Sequence, residues 1–315
     1  MNFRWMAIAL IWPALLAVAR AGDIERDPPP QETLQAVLDR IRTHAAGDAW
    51  KAEGWSDPAI EAWIDKLLKQ LSESTGKELT APVRVKDTRP AGDMDLLLNG
   101  QLRIGKNVKH STIQNSIVLA DGVAELSIVR NSIVIARSIV TTSTVDNSLI
   151  IAGRYFRISS TRVVAGQPTN NILLSRGYGE ISLARNAILS APLGVDVVSL
   201  ADNVTFLNCK PRAANPAIVL QQNNVQNVNG KPLPLGEPPV SPLEKQIELI
   251  GYMALPQGAM FRWKGVRLFA EKDQPIVDER GEAVKDLAGW KLSHVDARMA
   301  LFTSGDQEAC VLKPR

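Results

Sequence analysis

Histidine and cysteine are scarce in this chain, and that scarcity removes whole classes of chemistry. The three histidines, His44, His110 and His294, lie in three different regions, so no nucleophile–histidine pairing is readable. Two cysteines, Cys209 and Cys310, are too few for a Cys/His metal cluster. No Gly-x-Ser-x-Gly elbow and no phosphate-binding glycine loop occurs. Asp93-Met94-Asp95 is too short an acidic run for a Ca²⁺ loop. Beyond the N-terminus no segment is apolar enough to span a membrane.

The chain opens with what reads as a secretory signal peptide, ending at Ala21: Arg4, an apolar Trp5–Val18 core, then Ala19-Arg20-Ala21 as a small-x-small cleavage site. No cysteine follows the apolar core, which argues against a lipid anchor. Cleavage removes Arg4 and Arg20 and lowers the formal charge from +3 to +1. So neutral a chain is a poor electrostatic partner for nucleic acid. Export, to periplasm or beyond, also makes a Cys209–Cys310 disulfide the expectation, with two separate buried thiols as the alternative. Such a bond would close a loop of about 100 residues, worth roughly 4–5 kcal/mol in the chain-entropy picture.

What is present in quantity is a repeat. Asn115, Asn131, Asn147, Asn170, Asn186 and Asn203 recur at sequence steps of 16, 16, 23, 16 and 17. Around them the text repeats as STIQNSIVLA, SIVRNSIVIA and STVDNSLIIA. A short β-rich unit cannot bury its apolar side alone, so successive units must stack as a solenoid. Asparagine tolerates the left-handed backbone of a tight corner, and stacked amides form ladders. The six asparagines are therefore read as structural. Ile117, Leu119, Ile133, Ile135, Leu149 and Ile151 are expected to point into the core, with Ser116, Ser132, Ser148 and Ala187 in the crowded bend. Asn99 lies one repeat step before Asn115 and marks a candidate earlier unit.

Five segments follow. Residues 1–21 are the signal, and 22–95 a helical N-terminal region. Residues 96–229 are the solenoid, 230–243 a Pro-rich linker, and 244–315 a small β-rich domain. Two amphipathic patterns lie in the second segment: Leu34, Val37, Leu38 and Ile41, then Ile60, Trp63, Ile64, Leu67, Leu68 and Leu71 after Ser56-Asp57-Pro58. These helices either cap the open first rung or dock a partner. Trp263 and Trp290 are read as core of the last domain.

The repeat and its asparagine ladder resemble the right-handed parallel β-helix proteins, the pectate-lyase-like superfamily, over residues 96–229. The fold expected is thus mainly β: a parallel β-helix solenoid with short rungs, one asparagine-to-asparagine step each, a helical N-terminal cap and a small C-terminal β-rich domain. The rungs are shorter than is usual for that family's enzymes. The resemblance implies one place to look for chemistry, since its glycan-cleaving members use carboxylates on neighbouring rungs, often with Ca²⁺.

Ten positions on from each asparagine stand Glu125, Thr141, Arg157, Glu180, Asp196 and Ala213. Glu180 and Asp196 would then sit one rung apart, as a carboxylate pair or as two Ca²⁺ ligands. Counting back from Asn203 puts Val197 there instead, and a slip of one residue turns a side chain from outside to inside. Arg130/Asp146 and Arg185/Asp202 read as cross-rung charge pairs at an exposed corner. The long step between Asn147 and Asn170 inserts extra chain around Arg154, Tyr155, Phe156, Arg157 and Gln167. Insertions in a solenoid become loops, so Arg154, Tyr155, Arg157 and Gln167 are candidates for sugar or carboxylate binding.

The reading that emerges is an exported, non-enzymatic scaffold for an envelope polysaccharide or protein partner, without a cofactor other than possible Ca²⁺. The alternative is a lyase or hydrolase of acidic glycans working through Glu180 and Asp196.

Overall fold

A computed structural model describes residues 33–92, 95–162, 171–213, 224–237, 241–305 and 307–313. The signal-peptide segment, Gln167 and Asn170 lie outside them. The centre is a parallel β-solenoid of about 7 turns. Each turn carries a short strand and a longer one. Ile117–Ala120 stacks on Ile133–Ala136, which stacks on Leu149–Ala152. Val123–Arg130 likewise stacks on Ile139–Asp146, which stacks on Tyr155–Thr161. The long strands' ladder skips Ser127, Ser143 and Ser159, which divides each long strand into two straight stretches.

The corner between rungs is built as its residues demand. Asn99, Asn115, Asn131, Asn147, Asn186 and Asn203 all have φ between 42° and 52°. That left-handed region strains most side chains, whereas a short amide tolerates it. Asn115 Nδ2 donates to Asn99 Oδ1 at 2.8 Å, Asn147 to Asn131 at 3.0 Å, and Asn203 to Asn186 at 2.7 Å. The serine after each of the first asparagines completes the bend. Ser132 Oγ accepts from Ser116 N at 3.2 Å, and Ser148 Oγ from Ser132 N at 3.1 Å.

The inside and outside of the short strands are the reverse of the expectation. Val118, Ala120, Val134, Ala136, Ile150 and Ala152 fill the solenoid interior. Ile117, Leu119, Ile133, Ile135, Leu149 and Ile151 point outward, into a core shared with the N-terminal helices. Those are helix α1, Leu34–Ala46, and helix α2, Pro58–Thr75. Asp57 caps α2, its carboxylate accepting from Ala59 N and Ile60 N, and Gly76 ends it at φ 67°. All four apolar residues expected on α1 and all six on α2 are buried.

Both helices pack on the outward Ile and Leu side chains of the short strands. Helix α1 runs along the flank: Gln35 meets Arg176, Leu38 O accepts from Arg137, and Arg42 meets Asp121 at 3.3 Å. Seven helical residues rise ~10.5 Å, and they span rungs ~4.8 Å apart. The helices therefore cover a side, and the large Ile and Leu side chains of the repeat meet them there. The linker joins this layer, since Leu235 is buried in it and Pro234 O accepts from Leu34 N at 2.9 Å.

Residues 244–313 form two antiparallel sheets, as the spacing predicts. One contains Ile247–Met253, Gly258–Trp263, Val266–Glu271 and Val277–Asp278; the other Lys291–Val295, Met299–Ser304 and Gln307–Leu312. Phe261 and Phe302 meet edge to face between the sheets, and Trp263 and Trp290 belong to this core. The second sheet is clamped on the solenoid by Met299 and Leu301 against Val123, Ile139 and Tyr155. No described helix is long and apolar enough to cross a membrane.

The expected disulfide is not formed: Cys209 and Cys310 are both free. Cys209 packs at the solenoid interior with its thiol on Leu189 O at 3.4 Å, whereas Cys310 lies in the contact between the C-terminal sheet and the solenoid flank. Different packing clusters hold the two sulfurs. Burial raises the thiols to about 11 and about 12 respectively.

Candidate functional site

The count of ten from the asparagines lands on a real column. Lys109, Glu125, Thr141, Arg157, Glu180, Asp196 and Arg212 are successive parallel-register partners. Their chain neighbours Phe156, Ile158, Ile181, Val195 and Val197 fill the interior, so the column points out. Gly179 is required beside it, because a Cβ there would stand 2.1 Å from the Phe156 ring. The extra residue of the last repeat step lies beyond the column, at the register shift after Ile181 and Val197. Arg212 rather than Ala213 therefore completes the column, and Asp196, not Val197, stands against Glu180.

Glu180 and Asp196 face outward together but not toward solvent; they are 8% and 6% exposed. The turn between Lys291–Val295 and Met299–Ser304 lies over them. Arg298 Nε donates to Glu180 Oε2 at 3.2 Å, and its Nη2 lies 3.6 Å from Asp196 Oδ2. Arg157 stands 3.3 Å from Glu180 and 3.0 Å from Asp296. Arg212 Nε donates to Asp196 Oδ1 at 2.9 Å. Asp296 is itself fixed, its Oδ1 accepting from Arg298 N at 2.7 Å and Met299 N at 3.0 Å. Burial pulls the Arg157 pKa down, but Asp296 and Glu180 outweigh it and leave the pKa raised. Further along the column, His294 Nδ1 meets Glu125 Oε1 at 3.3 Å and holds that carboxyl down to about 2.

A cavity of about 210 Å³ remains between the two layers, lined by Tyr155, Tyr178, Glu180, Asp196, Arg212 and Arg298 among others. Tyr155 is 3% exposed, its hydroxyl has no hydrogen-bond partner among the described residues, and burial raises its pKa, helped by Glu180 and Asp296. Neither Tyr155 nor Arg157 belongs to an inserted loop. Both lie in the strand Tyr155–Thr161, within the regular ladder. Arg154 precedes that strand, is 7% exposed, and pairs with Glu244 and, at 3.5 Å, with Glu308. The insertion itself begins after Arg162, and Gln167 falls outside the described residues. Phe156 lies in the core.

The corner charges stand where the repeat places them: Arg130 opposite Asp146, and Arg185 opposite Asp202. Among the described residues no group of three or more His, Cys, Asp or Glu side chains is arranged to hold a metal ion. Arg298, Asp296, Glu244 and Glu308 went unseen in the sequence, since nothing in the repeat signals partners that lie far along the chain in another domain.

No protein-family model matches the chain, and neither the curated proteins nor the solved structures contain a match to it.

Proposed function

We propose that the protein is an exported, non-enzymatic β-solenoid that binds an envelope polysaccharide or an envelope protein. Kinship with the pectate-lyase-like β-helices is part of this proposal; the asparagine ladder and the parallel rungs support it. The observation that carries the non-enzymatic reading is the commitment of Glu180 and Asp196 to Arg157, Arg212 and Arg298. A glycan-cleaving carboxylate pair needs an open side toward its substrate. Here that side is occupied by the C-terminal sheet, and the 210 Å³ left is below the ~300 Å³ where ligand pockets begin.

Two flanks of the solenoid are covered, one by the helices and one by the C-terminal sheet. The third is the outer half of the long strands. Ser127, Ser143, Ser159, Arg162 and Arg185 are exposed there, with Thr112, Thr144 and Ser160 partly so. Hydroxyls and guanidinium groups on a flat ladder suit the hydroxyls and carboxylates of a glycan chain. The rival reading, cleavage of acidic glycans by Glu180 and Asp196 with or without Ca²⁺, rests on their adjacency in the ladder.

One experiment separates the two. The mature protein is applied to a glycan array with and without Ca²⁺, and bound glycans are sized afterwards. Retention of intact acidic glycan, weakened by Arg162→Ala/Arg185→Ala and kept by Glu180→Gln, supports the binding reading. Shortened glycan that disappears with Glu180→Gln establishes the enzyme. No retention of any glycan removes polysaccharide and leaves a protein partner.

A further inference from the structure

A second group of charges lies where helix α1, the solenoid corner and the C-terminal region meet. The backbone N–H groups of Arg137, Gly153 and Arg176 donate in turn to Ala120, Ala136 and Ala152, so the three residues stack in one column. Gly153 leaves a gap in it that no other residue could leave, because a Cβ would stand 1.8 Å from Arg137 O. Arg176 lies across this gap. Its Nε donates to Gly153 O at 3.2 Å and its Nη1 to Gln35 Oε1 at 2.9 Å. Arg137, Arg154 and Arg176 are 7%, 7% and 3% exposed, and together they line a cavity of about 340 Å³.

A buried guanidinium is costly without a counter-charge. Arg137 has two, Asp121 at 2.6 Å and Asp39 at 3.3 Å. Arg154 has Glu244 and Glu308. Arg176 has none in ion-pair reach: among the described residues it makes hydrogen bonds only to a carbonyl and an amide, and its Nη2 makes none. Arg154 Nε is also buried without a hydrogen bond, with Glu308 3.5 Å away. Burial, then Arg154 and Arg137, lower the Arg176 pKa to about 10, against a smaller opposite pull from Glu308 and Asp39, which leaves it charged at neutral pH. Arg42, Arg137, Arg154 and Arg176 are matched in number by Asp39, Asp121, Glu244 and Glu308, but among the described residues Arg176 is the wall cation with no carboxylate within 4.0 Å, beside a cavity whose volume is within the range of small-ligand pockets.

We infer that this corner is a binding site for one oxyanion, a phosphate or carboxylate group on a small soluble molecule, held chiefly by Arg176 with Arg154 and Arg137 at its sides. Arginine's planar fork suits both groups. Asp39 and Glu308, also in the wall, limit the site to a single anionic group. The site is separate from the Glu180 column and does not depend on the glycan reading.

Calorimetric titration of the full mature protein with inorganic phosphate, and separately with acetate, tests it at constant ionic strength against chloride. The expected result is saturable binding of at least one, weakened about tenfold or more by Arg176→Gln. Lys109→Gln, in the other column, leaves it unchanged. The tighter of the two anions identifies phosphate or carboxylate as the natural group. Should Arg176→Gln lose its fold by circular dichroism, Arg42→Gln at the cavity wall serves, with a loss of about threefold. Absence of saturable binding by both anions in the wild-type protein overturns the inference. So does binding that no folded variant of Arg176 or Arg42 weakens.

Discussion

If Arg298 anchors the C-terminal sheet to the solenoid, removing it has a calculable cost. Its guanidinium stands 3.2 Å from Glu180 and 3.6 Å from Asp196. At an effective dielectric near 20, each contact has a gross attraction of roughly 5 kcal/mol. Most of that is offset by desolvation of a side chain that is only 29% exposed, and by its ordering. The two carboxylates also repel one another one rung apart, ~4.8 Å along the axis. Arg298→Met keeps the stem and removes the charge. Glu180 then keeps Arg157, and Asp196 keeps Arg212, so the loss falls short of the ~3–5 kcal/mol of an orphaned buried charge. A cost of about 2 kcal/mol is expected. Urea unfolding followed by tryptophan fluorescence, with Trp50, Trp55 and Trp63 replaced by Phe in every variant so that Trp263 and Trp290 remain, reads the C-terminal region. Adding Glu180→Gln gives a double-mutant cycle, with an expected coupling of about 1–2 kcal/mol. The exposed Lys109–Glu125 pair, 3.6 Å apart with its lysine 85% exposed, gives a coupling below about 0.5 kcal/mol. A cost for Arg298→Met under about 0.5 kcal/mol, or no coupling, refutes the reasoning. The acids would then be free to serve a ligand.

Three further outcomes follow from the same geometry. Asn131→Ala at φ 43° is expected to destabilise by about 1–2 kcal/mol, and Asn131→Gly by less, because glycine restores the conformation but not the amide ladder; equal losses in a denaturant titration would mean the ladder alone matters. Glu125 has a folded pKa of about 2 against 4.5 unfolded, so its stabilisation is complete above pH 4.5 and lost as pH falls toward 2. With its side chain 37% exposed, that contribution is about 1 kcal/mol after solvent screening. Glu125→Gln should remove this slope from the stability-versus-pH curve, and an unchanged slope would place it elsewhere. Finally, both thiols should be silent to a thiol reagent at pH 8 in the native protein and titrate as two equivalents in denaturant; an oxidised pair in purified protein would contradict the separate packing of Cys209 and Cys310.

The parts of this architecture that were legible are the parts set by local backbone demands. An asparagine at φ near 45° and a serine that ties its corner to the next rung have the same neighbours from turn to turn, so they recur in the text. The column of Glu180 and Asp196 followed from the same period, and only the bulge after Val197 made a count from the other side fail. The polarity of the short strands was not legible for a physical reason. IVLA, IVIA and LIIA are buried on both faces, and alternation says nothing when both sides are apolar. A size rule reads IVLA and IVIA but not LIIA, where Ile150 fills the interior between Leu149 and Ile151, which face outward. In those two strands the interior keeps the smaller Val118, Ala120, Val134 and Ala136. The larger Ile117, Leu119, Ile133 and Ile135 reach outward to meet the apolar stripes of α1 and α2. The arginine corner was hidden for the opposite reason. Arg137, Gly153 and Arg176 are in the repeat, but what they mean depends on Asp39 and Glu308, from opposite ends of the chain. Charge placed at a solenoid corner is ambiguous until the elements wrapped around it are known. In this fold those wrapping elements, rather than the rungs, decide which side chains remain available for a ligand.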